Sequence, residues 1–250
     1  MNGPINLTVA GLTFRQLFTR KRFITSALFS ALPLVIVLFF LATKHPFDPT
    51  GLGILRENYS GIVAFVLLPL SAVVFGTAAF GGEIDDGTIV YLLVKDLPRW
   101  QVMLSKYVVA VISTTIMMLV AIVLPWLALG APSDSASLLK AYAVGISLGA
   151  ALYCAIFVTM GLVNKRALVL GLLYVVVIEI SLSPNVQGLK SFSVREFVMT
   201  VVGKLAAGTA GVKAGDVSMN TVWTMGAVFM VVGLGLGIRW LQRYEMAERL

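Results

Sequence analysis

The feature that most constrains this chain is a series of apolar runs, each near the roughly 20 residues that a helix needs to cross a hydrocarbon core. They cover Ile24 to Ala42, Gly61 to Phe80, Tyr107 to Gly130, Leu138 to Val163, Ala167 to Ser183 and Val222 to Ile238. Of 250 residues, 58% are hydrophobic and 12% charged, about half the charged share of a soluble domain. Water is not the main solvent of such a chain. The expected fold is an all-α membrane protein with six transmembrane helices.

Nineteen Lys and Arg against 12 Asp and Glu give a net charge of +7. The basic residues fall between the apolar runs and form no single patch, which argues against nucleic acid as a partner. Cys154 is the one cysteine and lies inside an apolar run, so an intrachain disulfide is excluded and a packing role is expected. Arg20, Lys21 and Arg22 precede the first run as they would in a signal peptide, but the run exceeds a signal core and no convincing cleavage site follows. It is expected to remain as a span.

Basic residues also orient the spans, because cytoplasmic loops carry the excess of Lys and Arg. Twelve of the 19 fall on one side: Arg15, Arg20, Lys21 and Arg22 before the first span, Lys95, Arg99 and Lys106 after the second, Lys165 and Arg166 after the fourth, and Arg239, Arg243 and Arg249 after the sixth. That side is expected to be cytoplasmic and to hold both termini. The opposite side has Lys44, Arg56 and Lys140 in short loops, and Lys190, Arg195, Lys204 and Lys213 in one long loop, where charge weighs less. Trp223 and Trp240 bracket the last span as interfacial anchors do.

Pro33, Pro69 and Pro125 lie within spans, where neighbouring helices can satisfy the carbonyls they free. Gly145 and Gly149 form a small-xxx-small pair in the fourth span, and Gly233, Gly235 and Gly237 lighten the sixth. Packing within the chain is favoured over a subunit interface for these glycines.

Three segments do more than connect spans. From Ile5 to Phe23, Leu7, Ala10, Phe14, Leu17 and Phe18 recur at helical spacing among arginines, as in an interfacial helix on the cytoplasmic leaflet. In the external loop, Phe192, Ser193, Glu196 and Phe197 fit a capping box with a hydrophobic staple. An amphipathic helix through Val194, Phe197, Val198, Val201, Val202 and Leu205 should follow, laying one face on the bundle or the lipid surface. Finally, the loop from Gly81 to Lys106 offers Asp85 or Asp86 as the cap of a short helix carrying Ile89, Leu92 and Leu93 on one face, ended by Pro98. That apolar face either packs beneath the spans, leaving Glu83, Asp85 and Asp86 solvated, or meets a partner.

The loop resembles one family, the permease subunits of type-2 ABC exporters with six spans and small loops. Its hallmark is an acidic residue after the second span, a Gly-Thr pair, two leucines, a proline-containing turn, an Arg and then a Lys. Glu83, Gly87, Thr88, Leu92, Leu93, Arg99 and Lys106 stand in those places. The stretch RQLFTRKR before the first span and Glu179 late in the fifth also resemble the family. Asp96 departs from it, standing where many relatives have proline.

The resemblance implies that the loop is a coupling helix docking on an ABC ATPase subunit, with an apolar face in a groove and the carboxylates and Arg99 fixing register through charge. It further implies a second permease subunit, as homodimer or heterodimer, and export across the cell membrane. The expected organisation is one permease domain over residues 1–250. It has an interfacial helix at 1–23, spans one to four at 24–163 with the coupling loop at 81–106, spans five and six at 167–238 with the external loop at 184–220, and a cytoplasmic tail at 239–250. No GxxxxGK[ST] loop occurs in the chain, so ATP and Mg are expected on the partner and no cofactor on this chain. His45 is the only histidine, which excludes a His-based triad and a multi-histidine metal site. An ion-driven secondary transporter is the main alternative, but it usually needs several ionisable sites at mid-membrane, and Glu179 is essentially alone. A membrane scaffold that moves nothing is the third reading.

Overall fold

The computed structural model describes residues 6–18, 20–43, 51–89, 97–132, 135–183, 187–207, 212 and 214–247. Among them every regular element is helical. Four helices are long and apolar enough to cross a membrane: Leu52–Ile84, Arg99–Ala128, Ala136–Val163 and Met219–Arg243. Two shorter apolar helices, Ser26–Ala42 and Ala167–Leu182, occupy the places of the first and fifth expected spans.

Helix α1, Leu7–Leu17, starts where the Asn6 side chain accepts from the amides of Thr8 and Val9. Such a cap satisfies donors that a helix start leaves free. The helix is shorter than the expected 5–23 stretch: it ends at Phe18, and α2, Arg20–Ala42, already contains the basic cluster. Its apolar stripe is not the face that it packs on the protein. Val9, Thr13 and Leu17 are buried, whereas Leu7 and Phe14 are exposed on other faces.

The second span begins earlier than Gly61. Helix α3, Leu52–Glu57, runs through a π-helical stretch π1, Asn58–Leu67, into α4, Leu68–Asp85. The wide turns, in which the Leu68 amide reaches the Val63 carbonyl, end at Pro69, which has no N–H to donate to the turn before it. Helix α5, Arg99–Ala128, starts well before Tyr107, so both ends of the stretch expected as a cytoplasmic loop, 81–85 and 99–106, belong to the flanking helices. Polar side chains meet carbonyls near the prolines: Asn58 donates to the Pro33 carbonyl at 3.1 Å and Tyr59 to that of Ile122 at 2.6 Å.

Helix α6, Ala136–Val163, is the hub and packs on α4, α5 and two later helices described next. Its contact with α4 is backbone on backbone, since a Cβ added at Gly161 would lie 2.5 Å from the Thr77 carbonyl oxygen. Helix α7, Ala167–Tyr174, continues into a second π-helical stretch π2, Val175–Leu182. A short α8, Gln187–Lys190, leads to α9, Val194–Leu205, and α10, Met219–Ala247, closes the chain.

Gly145 and Gly149 do serve packing within the chain, Gly145 against α9 and Gly149 against both α9 and Leu68 of α4. A Cβ at either would fall 2.7 Å from Val202 or Val198. Consequently α9 does not lie on a surface by one face. Val194, Phe197, Val198, Met199, Val201 and Val202 are all buried, and the Phe197 ring packs 6.1 Å from that of Phe229 on α10.

Helices α2 and α10 form the periphery, with Leu28, Val35 and Phe39 on one and Val228, Val231 and Leu236 on the other exposed. Trp223 and Trp240 are exposed on α10, about 26 Å apart along the axis at 1.5 Å per residue. That spacing suits anchors at the two edges of a core about 30 Å thick.

Candidate coupling site

The Gly-Thr pair of the loop motif closes α4. Asp86 is its C-cap and Gly87 adopts a left-handed conformation, φ 67°, where a residue without Cβ is favoured. The Gly87 amide donates to the Ile84 carbonyl at 3.3 Å and the Thr88 amide to the Glu83 carbonyl at 2.9 Å. Together these are the two bonds of a Schellman motif. Asp86 therefore ends the second span and is not the N-cap expected of a following helix, and Asp85 is the last residue of α4. Ile89, which follows, is helical and buried.

Glu83 and Lys106, expected at the two ends of the loop, meet inside the chain. The Lys106 Nζ donates to Glu83 Oε1 at 2.8 Å and to the Ala79 carbonyl at 2.6 Å, and stands 4.7 Å from the centre of the Phe80 ring. The Lys106 side chain is 0% exposed and that of Glu83 11%, so Glu83 is not the solvated carboxylate of the simplest reading. Burial of a charge is costly unless it is paired and hydrogen-bonded, and here a carboxylate, a carbonyl and a ring face share the ammonium.

Helix α1 joins the same corner. Gln16 Nε2 reaches Glu83 Oε1 at 3.5 Å, the Asn6 amide donates to Ser105 Oγ at 2.9 Å, and the Phe18 ring lies 6.1 Å from Phe75. Neither Gln16 nor Ser105 stands out in the sequence. Lys106 carried a usable signal, being a cation at the head of an apolar helix that must find an anion once buried.

Arg99 opens α5, with Pro98 in extended geometry as its N-cap. Residues 90–96, with the Leu92 and Leu93 expected to anchor the partner, lie outside the described residues. Among the described residues no group of three His, Cys, Asp or Glu could hold a metal ion.

Glu179 belongs to a different place. It is fully buried in π2, and its carboxylate accepts from Ser193 Oγ at 2.7 Å and from the Val194 amide at 3.1 Å. A carboxylate at a helix N-terminus meets both free N–H groups and the positive end of the dipole. The expected capping box is thus half formed. Ser193 Oγ accepts from the Glu196 amide, but the Glu196 carboxylate turns to the Asp216 amide at 3.4 Å instead of back to Ser193.

A comparison with curated proteins gives no match. The model of one family, described as ABC-2 family transporter protein, matches residues 18–182, from the approach to the first span through the end of π2. With its all-helical apolar architecture and the α4–α5 corner, the chain belongs to the ABC-2 transporter family as a membrane-embedded permease.

Proposed function

We propose that this chain is the membrane subunit of an ATP-driven exporter and that residues 81–106 transmit the work of a separate ATPase to the helices. The observation that supports this reading most is the Glu83–Lys106 pair, which joins the two helices flanking the loop. The Schellman motif fixes the loop's first residues to the end of α4, Pro98 fixes its last to α5, and Gln16 adds α1. Force applied between them reaches three helices at once. ATP and Mg belong to the partner subunit, a second permease subunit completes the pathway, six helices span the membrane, and both termini are cytoplasmic.

A secondary transporter fits less well. Among the described residues, the fully buried Lys, Arg, Asp or Glu side chains of the spans are Lys106 and Glu179, and both are engaged in hydrogen bonds within the chain. The test is copurification with an ATPase encoded beside this chain, followed by hydrolysis in lipid. Leu92→Ala with Leu93→Ala should reduce recovery of the complex, since a few apolar anchors usually carry an interface. Glu83→Gln together with Lys106→Met, which leaves no charge stranded, should leave recovery intact and lower stimulated hydrolysis. Equal recovery and hydrolysis in all variants would remove the coupling role from this loop.

A further inference from the structure

Helix α10 packs on α6 by one side only. A Cβ added at Gly233 would lie 2.8 Å from the Ala155 carbonyl oxygen and one at Gly237 would lie 3.0 Å from Thr159 Oγ1, so the two helices run parallel. About a third of a turn from that contact, Val232, Leu236, Arg239 and Arg243 recur at spacings of four, three and four residues, which places them on one stripe of the helix. All four are exposed.

The stripe changes character along its length. Trp240, exposed beside it, marks the edge of the hydrocarbon core as an interfacial anchor does. At 1.5 Å per residue, Val232 and Leu236 lie about 12 and 6 Å inside that edge, and Arg243 about 5 Å beyond it. Arg239 stands at the edge itself. No ion pair among the described residues engages Arg239 or Arg243. Guanidiniums one turn apart are neighbours on a helix surface and present forked donors that fit phosphate oxygens.

An apolar track that ends at two cations, at the depth where headgroups begin, is complementary to one kind of molecule. Acyl chains cover the track and the phosphate meets the arginines, whereas the ammonium of a zwitterionic headgroup would face like charge. A second copy of the chain suits the stripe poorly. The same patch would face itself in a two-fold contact, bringing four arginines to one level.

We propose that this stripe of α10 is a binding site for an anionic phospholipid, with the phosphate on Arg239 and Arg243 and an acyl chain on Val232 and Leu236. That the lipid belongs to the cytoplasmic leaflet rests on the orientation proposed above; the site itself does not.

The test is native mass spectrometry of the chain in neutral detergent, titrated with phosphatidylglycerol or phosphatidylcholine. Phosphatidylglycerol should bind more tightly, and Arg239→Gln/Arg243→Gln should weaken it about thirtyfold, at about fivefold for each charge near a headgroup, leaving phosphatidylcholine unaffected. Lys165→Gln/Arg166→Gln is the control. On the α6 register these exposed residues are level with Arg243 but lie off the stripe, so their removal lowers the local field equally and should weaken binding far less. Equal losses in the two double variants would assign the effect to the whole basic end of the bundle and overturn the site.

Glycerol phosphate in excess should not displace the lipid; displacement would make this a site for a free phosphate and overturn the lipid. Loss of phosphatidylglycerol together with a change in the number of chains per particle would give the face to a second copy, with the same result. A phosphatidylglycerol carrying a photoreactive acyl chain, used on the unchanged chain, keeps the test independent of any variant's folding. It should crosslink at residues 228–236, and crosslinks confined to other helices overturn the proposal.

Discussion

Lys106 reaches Glu83 across the α4–α5 corner, its Nζ 2.8 Å from Oε1 and its side chain wholly buried. Removing one partner of a buried pair strands the other, at a cost of about 3–5 kcal/mol. Lys106→Met should therefore destabilise the protein by roughly that amount, read from unfolding in detergent. The double variant Lys106→Met/Glu83→Gln should regain much of the loss because no charge is left stranded. A double variant no more stable than Lys106→Met would show that the pair is not the source of the effect.

The α4–α6 contact should tolerate no added side chain at Gly161, where a Cβ would meet the Thr77 carbonyl oxygen at 2.5 Å. Gly161→Ala forces the backbones apart and should cost about 1–3 kcal/mol, as overpacking does. Gly235 on α10 has nothing within 4 Å of such a Cβ, so Gly235→Ala should leave stability near the parent's. Thermal unfolding of the two side by side makes the comparison, and equal effects would contradict the close approach.

The Lys190–Asp216 ion pair, which joins the two ends of the segment holding α9, should depend on pH and salt. The hydrogen bond donated by Lys190, and then its charge, hold the Asp216 carboxyl below its ordinary value of 3.8. The same hydrogen bond holds the Lys190 ammonium above its ordinary 10.5. A depressed carboxyl contributes stability that is present above its unfolded value and lost as pH falls through the folded one. A raised amine contributes below its unfolded value and loses it as pH rises through the folded one. Amide exchange of residues 190–207 and 214–216 should thus be most protected between those limits and less so in high salt, which screens exposed charge. Asp216→Asn should remove the acid limb of the profile.

A cysteine placed at Lys190 should react with a membrane-impermeant thiol reagent in intact cells, whereas one at Arg243 should react only after permeabilisation. The expectation rests on the 12 basic residues assigned to the cytoplasmic side against seven opposite. The reverse pattern would invert the orientation and move residues 81–106 away from any cytoplasmic ATPase.

The sequence by itself determined which segments form long apolar helices, because apolar length is a local property and a helix satisfies its own backbone. It also determined the start of α9, since Ser193 caps the amide of a residue three places on. Even the family was legible, through Glu83, Gly87, Thr88, Arg99 and Lys106. What only the tertiary structure decided is which polar groups find each other across helices. Glu83 and Lys106 are 23 residues apart and Glu179 and Ser193 are 14 apart, and periodicity carries no information on such pairs. The fate of α9 was decided in the same way. Its apolar face and end charges suit a membrane surface equally well, and it is buried because Gly145 and Gly149 leave room for Val198 and Val202 and because Glu179 meets its N-terminus. Local chemistry chooses the helix, and the space and charge offered by its neighbours choose its place.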